Sequence, residues 1–136
     1  MIVTRIEPSK WSEISEDAHR VVFNETRPAH FDRISYALVV GTEEEPMAYI
    51  TVRETDKESA YIQYGGAFPN VKGSVRSFRI FSTMMAWLKN FGYKRVNMLV
   101  EGSNKVMLKF ALSMDFDVIG MRVFNGTPLL ELMRTF

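Results

Sequence analysis

The sequence predicts an α/β fold: a mixed, mostly antiparallel sheet with a parallel pair of strands at its centre and helices on both faces. Strand-like segments with short connections fill residues 34–68, and helical segments alternate with strands after residue 74. The composition is that of a globular protein, with 136 residues of which 46% are hydrophobic and 12% aromatic, whereas disordered chains have few apolar residues. The length predicts one domain over residues 1–136.

The composition also excludes several classes of function. The 17 Lys and Arg are nearly balanced by 16 Asp and Glu, so the basic excess typical of nucleic-acid-binding proteins is missing. No apolar run is long enough to span a membrane, and the N-terminus does not resemble a signal peptide, which predicts a cytoplasmic protein. The sequence has no cysteine, and His19 and His30 are its two histidines, so we expect no metal site and no thiol chemistry.

The N-terminal third predicts one strand and one helix. Met1–Ile6 alternates like a short strand, and Pro8 ends it. The polar segment Asn24–Arg33 contains Pro28 and predicts a loop or a short broken helix. Between the two, helical spacing relates the apolar residues Trp11, Ile14, Ala18, Val21 and Val22.

Three strands follow in a meander. Ile34–Val40, Met47–Glu54 and Ala60–Phe68 are rich in β-branched and aromatic residues. Gly41–Pro46 and Thr55–Ser59 connect them as short polar turns. Because connections this short join antiparallel strands, we expect an antiparallel meander.

The second half of the chain alternates helices and strands. Ser74–Phe91 is a long amphipathic segment, and Gly92 is a suitable C-terminal stop. Tyr93–Val100 predicts a strand and Asn104–Met114 a second helix. The expected inward face of the long helix consists of Val75, Phe78, Phe81, Met85 and Leu88.

The chain then closes with a hairpin. Phe116–Phe124 and Leu129–Phe136 read as strands, and Asn125-Gly126 between them is a strong hairpin signal. The strand–helix–strand segment Ala60–Val100 predicts a crossover connection, so its two strands should run parallel.

The stretch before the long helix is the first place where chemistry could lie. Residues 70–76 are small, glycine-containing and basic. Amide groups in the first helical turn have no helical partner, and the helix dipole favours an anion there. Lys72 and Arg76 add positive charge, and Ser74 adds a hydroxyl donor. A pyrophosphate would fit this site; the alternative is an ordinary loop with a serine N-cap and solvated cations.

Two further features lie at the same edge of the predicted sheet. Gly65 and Gly66 interrupt a strand, which suggests a β-bulge that would splay this strand from its parallel neighbour and expose backbone groups to a ligand. The alternative is a kink needed for sheet curvature. Asn104 begins the second helix, where an N-cap role for it or for Ser103 is the simpler interpretation.

Together these features resemble the GNAT superfamily of acetyl-CoA-dependent N-acetyltransferases. The element order covers nearly the whole chain, with the strand–loop–helix at Ala60–Asn90 and the run at residues 100–116 as the specific parts. In the family's pyrophosphate loop, Gly73 matches in full, Asn70 replaces the usual Arg or Gln, and Val75 stands where a small residue is usual.

The second motif is an asparagine-to-aromatic element. Asn104, Phe110 and Phe116 match it, whereas Met107 replaces an alanine, Ala111 a tyrosine and Asp115 a glycine. In the family this tyrosine often protonates the leaving thiolate of coenzyme A. Because Ala111 cannot do so, another group would have to supply the proton.

The resemblance implies an acetyl-CoA-dependent N-acyltransferase that moves an acetyl group to an amine by direct attack in a ternary complex. The acceptor amine is not specified by the sequence. Tyr64 and Glu54 are the implied catalytic residues, as proton donor and proton acceptor respectively. The implied acetyl-CoA-binding residues are Ala67, Phe68, Lys72, Gly73, Ser74, Val75, Arg76 and Asn104.

The eroded motifs leave other interpretations open. The chain is also similar to small, degenerate GNAT-like proteins encoded by bacteriophages, one group of which is associated with virion assembly. It would then be a catalytically inactive interaction protein, an assembly or host-interaction factor, with a homodimer or a protein partner. A third possibility is an α/β binding module with an unrelated ligand.

Overall fold

The computed structural model describes residues 1–11, 34–42, 44–71 and 75–136. The expected first helix beyond Trp11 and the expected loop Asn24–Arg33 lie outside these ranges, as do the two histidines. Three residues of the expected pyrophosphate loop, Lys72, Gly73 and Ser74, lie outside them too.

Strands and helices follow one another in the order that the sequence predicts. Residues 8–11 are helical, and the later elements carry the labels used below. They are β1 (Val3–Ile6), β2 (Tyr36–Gly41), β3 (Pro46–Asp56), β4 (Ser59–Ala67), α1 (Val75–Phe91), β5 (Arg95–Glu101), α2 (Lys105–Ser113), β6 (Asp117–Phe124) and β7 (Thr127–Thr135).

The strands form one mixed sheet in the order β1-β2-β3-β4-β5-β7-β6. β4 and β5 are parallel, and every other neighbouring pair is antiparallel. The parallel pair requires a crossover, which α1 supplies. Asn125 and Gly126 close the last hairpin with φ of +49° and +78°, the left-handed values that Asn-Gly turns adopt. The predicted mixed sheet with a central parallel pair is confirmed.

The main core lies between one face of the sheet and the two labelled helices. α1 buries Ile80, Met84, Met85 and Leu88, whereas Val75 is 78% exposed. The predicted inward face of this helix is therefore wrong in part. Two of its phenylalanines contact α2: the rings of Phe78 and Phe81 lie 6.4 and 5.4 Å from that of Phe110. α1 therefore packs against both the sheet and α2. Helical periodicity alone does not distinguish the residues that face the sheet from those that face α2.

The opposite face of the sheet carries a second, smaller core. The helical residues 8–11 place Trp11 there, 1% exposed, with its ring centroid 5.0 Å from that of Tyr49. The buried residues of this cluster are Ile6, Trp11, Ile34, Ala37 and Tyr49. Helical residues therefore cover both faces of the sheet, as predicted.

The C-terminus of α2 ends on a residue in the left-handed region. Asp115 has φ of +67°, and the following amide, of Phe116, donates to the carbonyl of Ala111 at 3.1 Å. Helices commonly end this way, usually with glycine, because a Cβ is disfavoured in this conformation. Asp115 therefore carries backbone strain at the position where the GNAT motif has glycine.

Asp115→Gly is expected to raise the free energy of unfolding by about 0.5–1 kcal/mol, because glycine adopts this conformation without steric cost. Urea denaturation of both proteins measures the change. Asp115→Ala is the matched control, since alanine removes the carboxylate but keeps the Cβ. An equal gain from alanine would contradict the explanation, because the cause would then be the lost charge.

Candidate functional site

β4 contains a β-bulge at Gln63. Thr51 of β3 pairs with Tyr64, whereas the next residue, Val52, pairs with Ile62, so Gln63 is the extra residue. The bulge predicted at the two glycines is therefore misplaced, because both glycines pair in register with β3. The two glycines lie just beyond the bulge, on the side that leads to α1.

The hydroxyl of Thr51 holds the bulge in place. The side chain is fully buried, and its Oγ1 accepts a hydrogen bond from the Tyr64 amide at 3.0 Å and lies 3.5 Å from the Tyr64 carbonyl oxygen. The Thr51 hydroxyl thus takes the place of a backbone carbonyl as the acceptor for the Tyr64 amide, at the point where the strand register shifts. No sequence motif marks this residue, although a polar side chain inside the apolar segment Met47–Val52 is a signal that could reveal it.

The bulge changes which face of the sheet Tyr64 occupies. Directly paired residues share a face, so Tyr64 lies with Thr51 on the face opposite to α1, as does Tyr61 with its partner Arg53. Gly65 then faces α1: a Cβ there would lie 2.9 Å from Cγ2 of Ile50, which explains a glycine at this position.

β4 and β5 separate where the bulge begins. Their parallel pairing runs from Ser59 with Arg95 to Ile62 with Met98 and ends there. Beyond it, β4 continues along β3 to Ala67, and β5 continues along β7 to Glu101. The two strand edges that face each other across this opening, at residues 63–67 and 99–101, have no strand partner on that side within the described ranges. We call this opening the fork.

Both labelled helices begin at the wide end of the fork, because each follows one of the parallel strands. Asn104 caps α2, and its side-chain oxygen accepts from the Met107 amide at 3.2 Å, which confirms the N-cap interpretation. At the start of α1, Val75 is 78% exposed. Arg76 is exposed beside it, with its guanidinium 3.5 Å from Sδ of Met47.

The other residues expected to contact acetyl-CoA lie near this end of the sheet. Ala67 is buried and pairs with Ala48 at the end of β4. The Phe68 amide donates to the Met47 carbonyl at 2.8 Å, and the edge of its ring faces Tyr49. A cavity of about 580 Å³, lined in part by Phe68, Pro69, Asn70 and Arg76, opens beside the first turn of α1.

The structure does not bring the two expected catalytic residues together. Glu54 follows Val52 at strand spacing, so it lies on the α1 face, opposite to Tyr64. Its carboxylate accepts a hydrogen bond from the Tyr93 hydroxyl at 2.6 Å, and that hydroxyl lies 2.8 Å from the hydroxyl of Tyr36.

This Glu54–Tyr93–Tyr36 cluster lies far from the expected phosphate site. The Tyr36 ring packs 5.7 Å from Trp87 and 6.0 Å from Phe91, in the last turns of α1. The 17 residues of α1 span about 25 Å at 1.5 Å per residue, and the expected pyrophosphate loop precedes its first turn. Glu54 therefore stabilises the opposite end of the domain core.

α2 provides no hydroxyl acid at the position of the family's tyrosine. Ala111 is 1% exposed and belongs to the main core. The nearest hydroxyl, that of Ser113, donates to the Phe110 carbonyl at 2.6 Å. Tyr64, on the strand beside the fork, remains the candidate acid among the residues that the sequence singled out.

The described residues contain no group of three or more Asp, Glu or His side chains placed to hold a metal ion. None of the helices in the described ranges is long and apolar enough to cross a membrane.

No protein-family model matches the sequence, and no curated protein does either. Solved structures match over nearly the whole chain. A GNAT family acetyltransferase from Elizabethkingia anophelis with acetyl-CoA bound is 13% identical, with a TM-score of 0.77 and 98% of each chain covered. An IAA acetyltransferase from Bacillus cereus ATCC 14579 is 12% identical, with a TM-score of 0.74 and 99% of each chain covered.

A third solved structure extends the similarity. The ribosomal-protein-S18-alanine N-acetyltransferase from Escherichia coli is 9% identical, with a TM-score of 0.75 over 98% of this chain and 92% of that one. At identities this low, the TM-scores and the coverage show a shared fold and nothing finer. The protein has the fold of the GNAT acetyltransferases.

Proposed function

We propose that the protein is an acetyl-CoA-dependent N-acyltransferase that transfers an acetyl group directly to an amine. The fork between β4 and β5 is the single observation that carries this proposal. It offers two strand edges to an extended, amide-bearing ligand, which can pair with them as an added strand would. The similar Elizabethkingia anophelis acetyltransferase was solved with acetyl-CoA bound.

Each part of the site has a task in this proposal. The start of α1, with Arg76 and the expected loop residues Lys72, Gly73 and Ser74, would bind the pyrophosphate through amide groups and positive charge. The edge of β4 would bind the pantetheine arm, and its amide groups near the bulge would polarise the thioester carbonyl. Ala67 and Phe68 would line the arm, and Asn104 would border it from α2.

The transfer itself needs few side chains. The neutral amine attacks the carbonyl carbon, the new C–N bond forms, and the C–S bond breaks with the electron pair leaving on sulfur. One amine proton passes to solvent water. The thiolate gains a proton, for which Tyr64 would be the donor, and Tyr64 would then take a proton back from water. Holding two reactants in line can lower the barrier by roughly 7–11 kcal/mol without further chemistry, so acetyl transfer does not require the family's tyrosine.

Thermal denaturation with acetyl-CoA tests the proposal. A ligand at a hundred times its dissociation constant should add about 2.7 kcal/mol to the free energy of unfolding. ADP, which lacks the pantetheine arm, should stabilise the protein much less. Gly73→Glu should abolish the effect by placing bulk and negative charge against the phosphates, and Gly73→Ala is the matched control. No shift at millimolar acetyl-CoA would refute the proposal.

A second candidate function is that of a GNAT-fold interaction protein without catalysis, of which a phage assembly factor is one form. The observation that favours it is the edge strand β6, whose exposed apolar residues are Val118, Ile119, Met121, Val123 and Phe124. Exposed apolar edge strands can pair with another chain. Sedimentation equilibrium that finds self-association, together with no acetyl-CoA binding, would favour this function over the enzyme.

A further inference from the structure

A second cavity, of about 380 Å³, opens on the face of the sheet that is opposite to α1. Tyr61, near its centre, shares this face with Tyr64, and the guanidinium of Arg53 lies 4.9 Å above the Tyr61 ring. Leu99, the first β5 residue beyond the parallel pairing, also lines the cavity. The cavity therefore lies at the base of the fork, on the same side as Tyr64.

The lining of this cavity is strongly charged. It includes three guanidinium groups, of Arg53, Arg95 and Arg122, against one carboxylate, of Glu131. Arg122 forms an ion pair with Glu131 at the outer edge, where the Arg122 side chain is 65% exposed. Positive charge thus exceeds negative charge among the residues that line the cavity.

The other two arginines are less neutralised. Arg95 donates to the Ser59 hydroxyl at 2.6 Å and lies 3.7 Å from Glu58, a carboxylate that is closer to Lys94, at 3.1 Å. The hydrogen bonds that the Asp56 carboxyl accepts lower its pKa, and the charge of Arg95 also helps to lower it. Arg53 forms no ion pair with any other described residue and contacts the Tyr61 ring instead. Guanidinium groups bind carboxylates in a bidentate geometry, so these two can take an anionic group.

The single carboxylate lies nearer to the fork. Glu131 pairs with Leu99 in the β5–β7 register, and its side chain is 25% exposed. Arg53 lies three strands away, or about 14 Å at the usual spacing of about 4.8 Å between strands. The cavity thus has a cationic side, at Arg53 and Arg95, and a second side that holds the Glu131–Arg122 ion pair, and this second side is beside the expected point of acetyl transfer.

We propose that this cavity is the acceptor subsite and that its ligand is a small amine that also carries a carboxylate. Arg53 and Arg95 bind the carboxylate, and Glu131 attracts the ammonium group and directs it to the fork. This assignment of the acceptor rests on the proposed acetyltransferase function, but the anion site itself does not.

Binding of glutarate, measured by isothermal titration calorimetry without acetyl-CoA, tests the anion site separately. We expect glutarate to bind the wild-type protein, and Arg53→Gln or Arg95→Gln to weaken it about tenfold or more, since each removes a charged hydrogen bond. Arg134→Gln is the matched control, because Arg134 lies on the α1 face of β7, over the Phe136 ring. Equal affinity in all variants, or tighter binding of inorganic phosphate, would overturn the proposal.

Acetyl transfer to glutamate and to putrescine tests the acceptor class. We expect a higher kcat/KM for glutamate than for putrescine. The ratio of the two values should fall about tenfold in Arg53→Gln, because only glutamate has a carboxylate that Arg53 can bind. A preference for putrescine would overturn the acceptor assignment while supporting the transferase. Glutarate binding without any acetyl transfer would instead refute the transferase and leave the anion site standing.

Discussion

Thr51→Val is expected to lower the free energy of unfolding by about 1–3 kcal/mol and to slow the proposed acetyl transfer. Valine has the shape of threonine but cannot accept the hydrogen bond that the Tyr64 amide donates to Oγ1 at 3.0 Å. The site is fully buried, so water cannot easily take the place of the hydroxyl. Urea denaturation measures the stability, and the release of thiol from acetyl-CoA measures the rate.

Two variants separate the bulge from a general effect of losing a hydroxyl. Thr51→Ser keeps the acceptor and should retain most of the stability. Thr83→Val makes the same change in α1, where the hydroxyl donates to the Arg79 carbonyl at 2.8 Å in an exposed position, and should cost within about 0.5 kcal/mol. If Thr51→Val were as stable and as active as the wild type, the bulge would not depend on this hydroxyl.

Tyr93→Phe is expected to destabilise the protein by about 1–3 kcal/mol at neutral pH and to flatten its loss of stability in alkali. The variant removes the hydroxyl that donates to Glu54 and lies within hydrogen-bond distance of Tyr36. Burial raises the pKa of Tyr93 far above its usual value, and the hydrogen bonds with Glu54 and Tyr36 raise it further.

The sign of the pH dependence follows from this raised pKa. The folded protein keeps the Tyr93 proton at pH values where the unfolded chain loses it, so the contribution to stability is complete below about pH 10 and is lost as the pH rises above it. Between pH 8 and 11, the free energy of unfolding measured by denaturation should therefore fall less steeply with pH for Tyr93→Phe than for the wild type. Glu54→Gln, which retains an acceptor, is the control, and an unchanged slope in Tyr93→Phe would contradict the prediction.

Local patterns in the sequence predicted most of the fold. In the described ranges, the predicted ends of the strands and helices lie within two residues of the observed ends. Asn125-Gly126 determines its own hairpin because both residues accept positive φ, and Asn104 caps α2 because its oxygen reaches an amide three residues on. The parallel pair follows from connection length, since a helix between two strands returns the chain to the same end of the sheet.

Tertiary contacts decided the details of the site. The register shift at Gln63 depends on the match between β3 and β4, and the buried Thr51 hydroxyl compensates it, although the glycines two residues later are the stronger local signal. That shift places Tyr64 and Glu54 on opposite faces. Phe78 packs against Phe110 of α2, a contact that the sequence pattern did not predict.

The charged cavity is the clearest example of a feature that the sequence alone does not predict. Arg53, Arg95 and Glu131 are far apart in the sequence and carry no motif, so they could be associated only once strand order and register were known. The sequence by itself determined the elements, their order and the parallel crossover, because these depend on interactions between residues close in the chain. Only the tertiary structure decided where β4 bulges, which face each side chain occupies and which charges meet, because these depend on pairing between distant strands.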